Sequence, residues 1–200
     1  GTLADMSIIR TPEPAQATGA WAEQYAGDLK ALGYVPSHTR VMATSPQAHQ
    51  AFEDLTRAVA QSIGLRLYEL VTLAAAGAIG SEACRLAHGR RSRGVFDDAQ
   101  LERIALDYHA AGLTELEVAA MELAERISGD SASITEQDTL RLRELGLDDR
   151  QIVDVVLAAA ARNYFSRALH ALAVVPDVPP DLPESLREAL LTGLPTAGDR

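Results

Sequence analysis

Apolar positions recur at helical spacing along most of the chain, and the breaks between them carry helix-capping residues. From 15 to 32, Trp21, Tyr25 and Leu29 share one face, and Gly33 ends the helix as a C-terminal glycine. A short helical turn is predicted over 39–43, after Pro36. Ser45 and Pro46 then read as N-cap and first residue of a longer helix through Phe52, Leu55 and Val59 that closes at Gly64. An apolar helix over 65–76 follows. Gly77 and Gly80 interrupt it, and Ser81 is placed to cap a helix that restarts there.

Beyond Gly94, Asp97 caps a helix over 99–109 with Leu101, Ile104, Ala105 and Tyr108 on one face. Thr114 and Glu117 have the spacing of a capping box and open a helix that runs to Gly129. Thr135 caps the next, which ends at Gly146. The last long helix is predicted over 148–174, and its run Ile152–Ala161 is so uniformly apolar that burial on most sides is expected. The stretches 70–76 and 152–160 look alike, each followed by a polar segment with a histidine, His88 or His170, which suggests a weak internal repeat. From Pro176 a proline-rich linker leads to a short helix over 184–191 and a frayed end.

The aromatic content is only 4% while Ala and Leu dominate, which suits closely packed helices better than a sheet, so the fold class is all-α. The expected organisation is an extended arm over 1–14, one helical domain over 15–175, and the linker with its short helix over 176–200. With 18 basic and 28 acidic residues the net charge is −10, which speaks against nucleic acid or an anionic bilayer as a partner. The densest basic stretch, Arg85, Arg90, Arg91 and Arg93, lacks interleaved aromatics. It reads as a solvated helix end, or as an attractor of a small anionic substrate. A single cysteine fits a reducing cytoplasm, and the apolar runs are too short to span a membrane.

Candidate chemistry gathers in one place. Cys84 falls at the third position of the helix capped by Ser81, where unsatisfied amides and the helix dipole favour an anion. His88 lies at i+4 on the same face, and Glu69, on the preceding helix, can meet the pair if the two helices fold back on each other. Thiol, imidazole and carboxylate would then make one proton relay. His38, His49 and His109 read as ordinary polar groups near helix ends.

The frame Glu69, Ser81, Cys84, His88 resembles the alkylhydroperoxidase AhpD-like branch of the carboxymuconolactone decarboxylase family. There a Glu is followed by a C-x-x-C pair and a His four residues beyond the second cysteine. Gly33-Tyr-Val-Pro36 and the segment around Asn163–Arg167 are similar to its peroxidase-related members, so the likeness spans roughly 30–175. The resemblance implies an orthogonal helical bundle, assembly as a homo-oligomer (dimer, trimer or hexamer), and a thiol peroxidase. In that peroxidase Cys84 attacks the peroxide, His88 moves the proton and Glu69 orients the imidazole, with neither cofactor nor metal.

Ser81 stands where the family has its first cysteine and Ala83 where it often has a histidine. No intrachain disulfide can therefore form, and an external thiol reductant is needed. Two alternatives remain open. One is a decarboxylase-type acid/base enzyme acting on a small lactone carboxylate. The other is a non-catalytic oligomer that senses oxidation at Cys84 or binds a partner.

Overall fold

The capping residues of the sequence locate most helix ends. The computed structural model describes residues 6–195, and within them it has ten α-helices and no strand. These are α1 (Gly19–Leu32), α2 (Ser37–Met42), α3 (Pro46–Ile63), α4 (Leu65–Ile79), α5 (Glu82–Ser92), α6 (Asp98–Asp107), α7 (Glu115–Asp130), α8 (Glu136–Glu144), α9 (Asp149–Ala171) and α10 (Glu184–Leu191). Gly33, Gly80 and Gly146 take positive φ at or just beyond helix ends, and Asp97 and Thr114 each accept a backbone N–H from the first turn of their helix. At Thr135 both halves of a capping box form, with Asp138 as the returning acid. At Thr114 only one half forms, because Glu117 turns to Arg66, 3.0 Å away, and ties α7 to α4.

The described residues form two compact units, and α3 and α9 each run from one unit into the other. The smaller comprises the chain up to Leu55 and Ala168–Asp177. Its small core of Tyr25, Val35 and Ala43 is closed by Trp21, whose indole N–H donates to the carbonyl of Arg40. The described part of the N-terminal arm is pinned along the end of α9, with Ile8 N–H donating to Leu172 and Val175 N–H to Met6. Residues 1–5 of that arm, and the chain end at 196–200, lie outside the described residues. Asp177 accepts from the Ser37 amide at 2.7 Å and from its hydroxyl at 3.0 Å, fixing the start of α2.

The larger unit comprises Thr56–Arg167 and the chain from Val178 onward. Here α4 is the central helix, buried on nearly every side and packed chiefly against α7 and α5. Gly77 does not break it. The helix continues to Ile79, and the turn is made at Gly80 alone, whose φ of 75° is the left-handed conformation that glycine adopts without strain. A Cβ at Gly80 would also lie 2.6 Å from the Pro195 carbonyl oxygen. Gly80→Ala is therefore expected to lower stability by about 2 kcal/mol, read as a shift in the urea midpoint.

Two further expectations change. In α9, Val153 is 54% exposed and Leu157 38%, so the apolar run buries one face and leaves a stripe at i, i+4 open. The suggested repeat does not extend to topology, because 70–88 is broken into two helices at Gly80 whereas 152–170 is one unbroken helix. No helix among the described residues is long and apolar enough to cross a membrane.

Candidate active site

The site lies within the larger unit, where α4, α5 and α9 converge. Gly80 reverses the chain and Ser81 caps α5, its Oγ accepting the Cys84 amide at 3.3 Å, so Cys84 occupies the third position of the helix with its backbone held by the cap. Cys84 is buried, 2% exposed, and is the single cysteine of the chain. One turn on, His88 places Nδ1 2.8 Å from Oε2 of Glu69, which is wholly buried on α4. The turn at Gly80 is what brings an acid nineteen residues away onto the ring. The Ser92 hydroxyl donates to the His88 carbonyl at 2.6 Å and holds the backbone beneath.

Structure and sequence part company at the sulfur. Its hydrogen-bond donors are the Ser166 hydroxyl at 3.1 Å and Arg162 Nη1 at 3.5 Å, both from α9. The His88 ring hydrogen bonds to Glu69, so the site comprises a carboxylate–imidazole pair and, adjoining it, a sulfur with a guanidinium and a hydroxyl. Tyr68 touches both, hydrogen bonded to Arg162 and edge-on to His88 with ring centroids 6.3 Å apart. Arg91, at the rim, brings Nε within 3.6 Å of Glu69 Oε1.

Burial, not charge pairing, governs His88. Removal from water, reinforced by the nearby Arg162 charge, pushes its pKa down to about 4 against the pull of Glu69. Burial alone would raise Glu69, but His88, Arg91 and Arg162 outweigh it and hold the carboxyl below its ordinary range. A lowered Glu69 and a lowered His88 cannot both rest on a mutual ion pair. We take the pair as an ionised carboxylate, kept so by the two arginines, and a neutral imidazole. The ring then donates from Nδ1–H to Glu69, and Nε2 carries the lone pair of a base. Arg162 is itself raised: burial alone would lower it, but its interactions with Cys84 and Tyr68 prevail.

This arrangement gives stability a sign with pH. An unfolded His88 protonates near 6.5, whereas the folded ring resists down to about 4, so the unfolded chain binds the extra proton in between. Unfolding free energy is expected to fall by about 3 kcal/mol from this group as pH drops from 7 to 4, at about 1.4 kcal/mol per pKa unit. Urea titrations at pH 7, 5.5 and 4 check it, and His88→Gln should flatten the slope.

The spacing that selects Glu69, Ser81, Cys84 and His88 does not point to Tyr68, Arg162 or Ser166. A signal for two of them exists. Val155, Ala158, Arg162, Ser166 and Leu169 fall on one buried face of α9, and an arginine in the register of a hydrocarbon face needs a partner. Arg85 differs from expectation in the opposite sense: it is 6% exposed, not part of a solvated helix end. Arg90 and Arg93 do pair at the surface, with Asp181 and Asp98. His49 is also buried, with Nε2 3.2 Å from Glu53, while His109 is exposed and contacts Asp107 and Glu122. Among the described residues no cluster of three or more His, Cys, Asp or Glu can hold a metal ion.

An all-helical chain with a buried cysteine beside a Glu–His pair has the AhpD-like fold, as comparison with solved structures shows. An uncharacterized peroxidase-related protein from Ralstonia eutropha JMP134, described as an alkylhydroperoxidase AhpD core, superposes with a TM-score of 0.75 at 20% identity over 93% of this chain and 97% of that one. An uncharacterized peroxidase-related protein from Silicibacter sp. TM1040 gives 0.76 at 22% identity, over 86% and 93%. The debrominase Bmp8, as a cysteine-to-alanine variant in complex with 2,3,4-tribromopyrrole, gives 0.73 at 16%, over 92% and 97%. No family model matches the chain, and no curated protein does.

Proposed function

We propose that the protein is an AhpD-like thiol peroxidase in which Cys84 is the nucleophile. The observation that carries the reading is the pairing at one buried point of a sulfur facing a guanidinium with a neutral imidazole backed by a carboxylate. The positive charge of Arg162 complements a thiolate, and the Ser166 hydroxyl donates to the same atom. The thiol proton passes to His88 Nε2 and the sulfur attacks the outer oxygen of a hydroperoxide. As the O–O bond breaks, the proton goes to the departing oxygen as water or an alcohol. The sulfur, oxidised by two electrons, becomes a sulfenic acid. Glu69 holds the ring in the tautomer this requires.

With Ser81 where a second thiol would stand, an external thiol condenses with the sulfenic acid, releasing water, and a second one reduces the mixed disulfide. The reading includes a homo-oligomer working in the cytoplasm. The exposed Val153 and Leu157 stripe on α9 supports self-association, which sedimentation would measure.

The test is trapping of the Cys84 sulfenic acid with a dimedone-type reagent during exposure to cumene hydroperoxide at pH 7. Oxidation is expected at least about 10-fold faster than that of a free thiol, and slower in His88→Ala. Equal rates in wild type and variant would defeat the assignment of His88. One observation favours a second reading, a single-turnover redox sensor: at 2% exposure the sulfur is hard for a reducing thiol to reach. Loss of one peroxide per chain, unaltered by added dithiothreitol, would select it.

A further inference from the structure

A cleft of about 500 Å³ opens in the larger unit beside α4, and neither Cys84, His88 nor Glu69 lines it. Its floor is Arg85. This guanidinium is buried, and its three nitrogens donate to the carbonyls of Leu190, Leu73 and Ala105 at 2.9, 3.3 and 3.1 Å. Of five N–H groups, one on each Nη remains unused. No carboxylate among the described residues lies within ion-pair distance of it. Burial has lowered its pKa to about 10, the mark of a cation short of compensation. Gly77 presents no side chain over it; a Cβ there would sit 3.6 Å from Nη1.

The walls are apolar, made by Leu73, Ile104, Met121 and Leu194, and Tyr108 brings a buried hydroxyl that makes no hydrogen bond of good geometry. That hydroxyl faces Glu125, the nearest acid to Arg85 as well, and Asp107 and His109 complete the mouth. The charges decide what fits. An anion drawn to Arg85 meets Glu125 and Asp107, and a cation drawn to those acids meets Arg85. A neutral molecule escapes both penalties and gains hydrogen bonds from Arg85 and Tyr108, both already stripped of water.

We propose that this cleft binds an uncharged, ring-sized alcohol or phenol, its oxygen accepting from Arg85 or Tyr108 and its hydroxyl donating to Glu125. The site is separate from the sulfur, and its occupancy does not depend on the peroxidase reading.

The experiment is titration of the full chain with p-cresol at pH 7, followed by protein-observed NMR, with toluene and p-toluate as the apolar and anionic comparisons. Saturable p-cresol binding is expected, at least 10-fold tighter than toluene or p-toluate. It should be lost in Ala78→Phe, which fills the cleft, weakened several-fold in Tyr108→Phe, and unchanged in Cys84→Ser. If toluene or p-toluate binds as tightly, the polar assignment is overturned. If neither Ala78→Phe nor Tyr108→Phe affects p-cresol, or Cys84→Ser abolishes its binding, the location is overturned. Tyr108→Phe removes only the hydroxyl that faces Glu125 and keeps the ring, so it reports on the cleft even if Ala78→Phe does not fold.

Discussion

Arg162→Met is expected to slow peroxide oxidation of Cys84 by about 100-fold while changing stability far less. The guanidinium lies 3.5 Å from the sulfur in a site closed to water, and removal of one preorganised donor from such a site costs about 10² to 10³ in rate. Its contribution to folding is another matter. A buried cation carries a desolvation cost that a hydrophobic side chain of similar length does not, so such exchanges are often neutral. The contrast between the two readouts is the test. Stopped-flow oxidation with trapping gives the rate, and urea denaturation gives the stability. Arg162→Lys should recover part of the rate, because it restores the charge but not the planar fork that Tyr68 and Cys84 share. A wild-type oxidation rate in Arg162→Met would remove the cation from the mechanism.

Glu69→Ala is expected to do the reverse, striking stability and rate together. It leaves the His88 Nδ1–H buried without its acceptor, opens a void in the most deeply packed helix, and removes a counter-charge from Arg162. The combined cost is about 3 kcal/mol, of the size seen when one member of a buried polar pair is deleted. The rate should fall by about 100-fold as the ring loses the partner that sets its tautomer. Glu69→Gln separates the two effects. Its amide oxygen can still accept from Nδ1–H, so most of the stability should return. The negative charge does not return, and the rate should stay low. A Glu69→Gln enzyme as fast as wild type would reduce the carboxylate to a positioning group.

Much of the local architecture was legible along the chain because the determinants are local. Gly33, Ser81, Asp97 and Thr135 act on backbone groups three or four residues away, and their helices begin or end where those residues stand. Cys84 and His88, one turn apart, share a face of α5 by helical geometry alone. Glu69 required one further step, the reversal at Gly80. The misreadings have a common cause. Gly77 was legible as a breaker only if neighbouring packing is ignored, and burial of α4 against α7 carries the helix through it. The stripe on α9 and the burial of Arg85 depend on which surfaces other helices cover.

The amino-acid order by itself therefore determined an all-helical chain and singled out the thiol, imidazole and acid on which the proposed chemistry rests, since periodicity, caps and i, i+4 spacing act within a few residues. Only the tertiary structure decided what faces the sulfur. Arg162 and Ser166 stand 78 and 82 residues from Cys84, and their meeting is fixed by how α9 packs on α5. It also decided that His88 is neutral, because an imidazole's charge is set by the water it has lost and the arginine beside it, and neither is visible in its sequence neighbours.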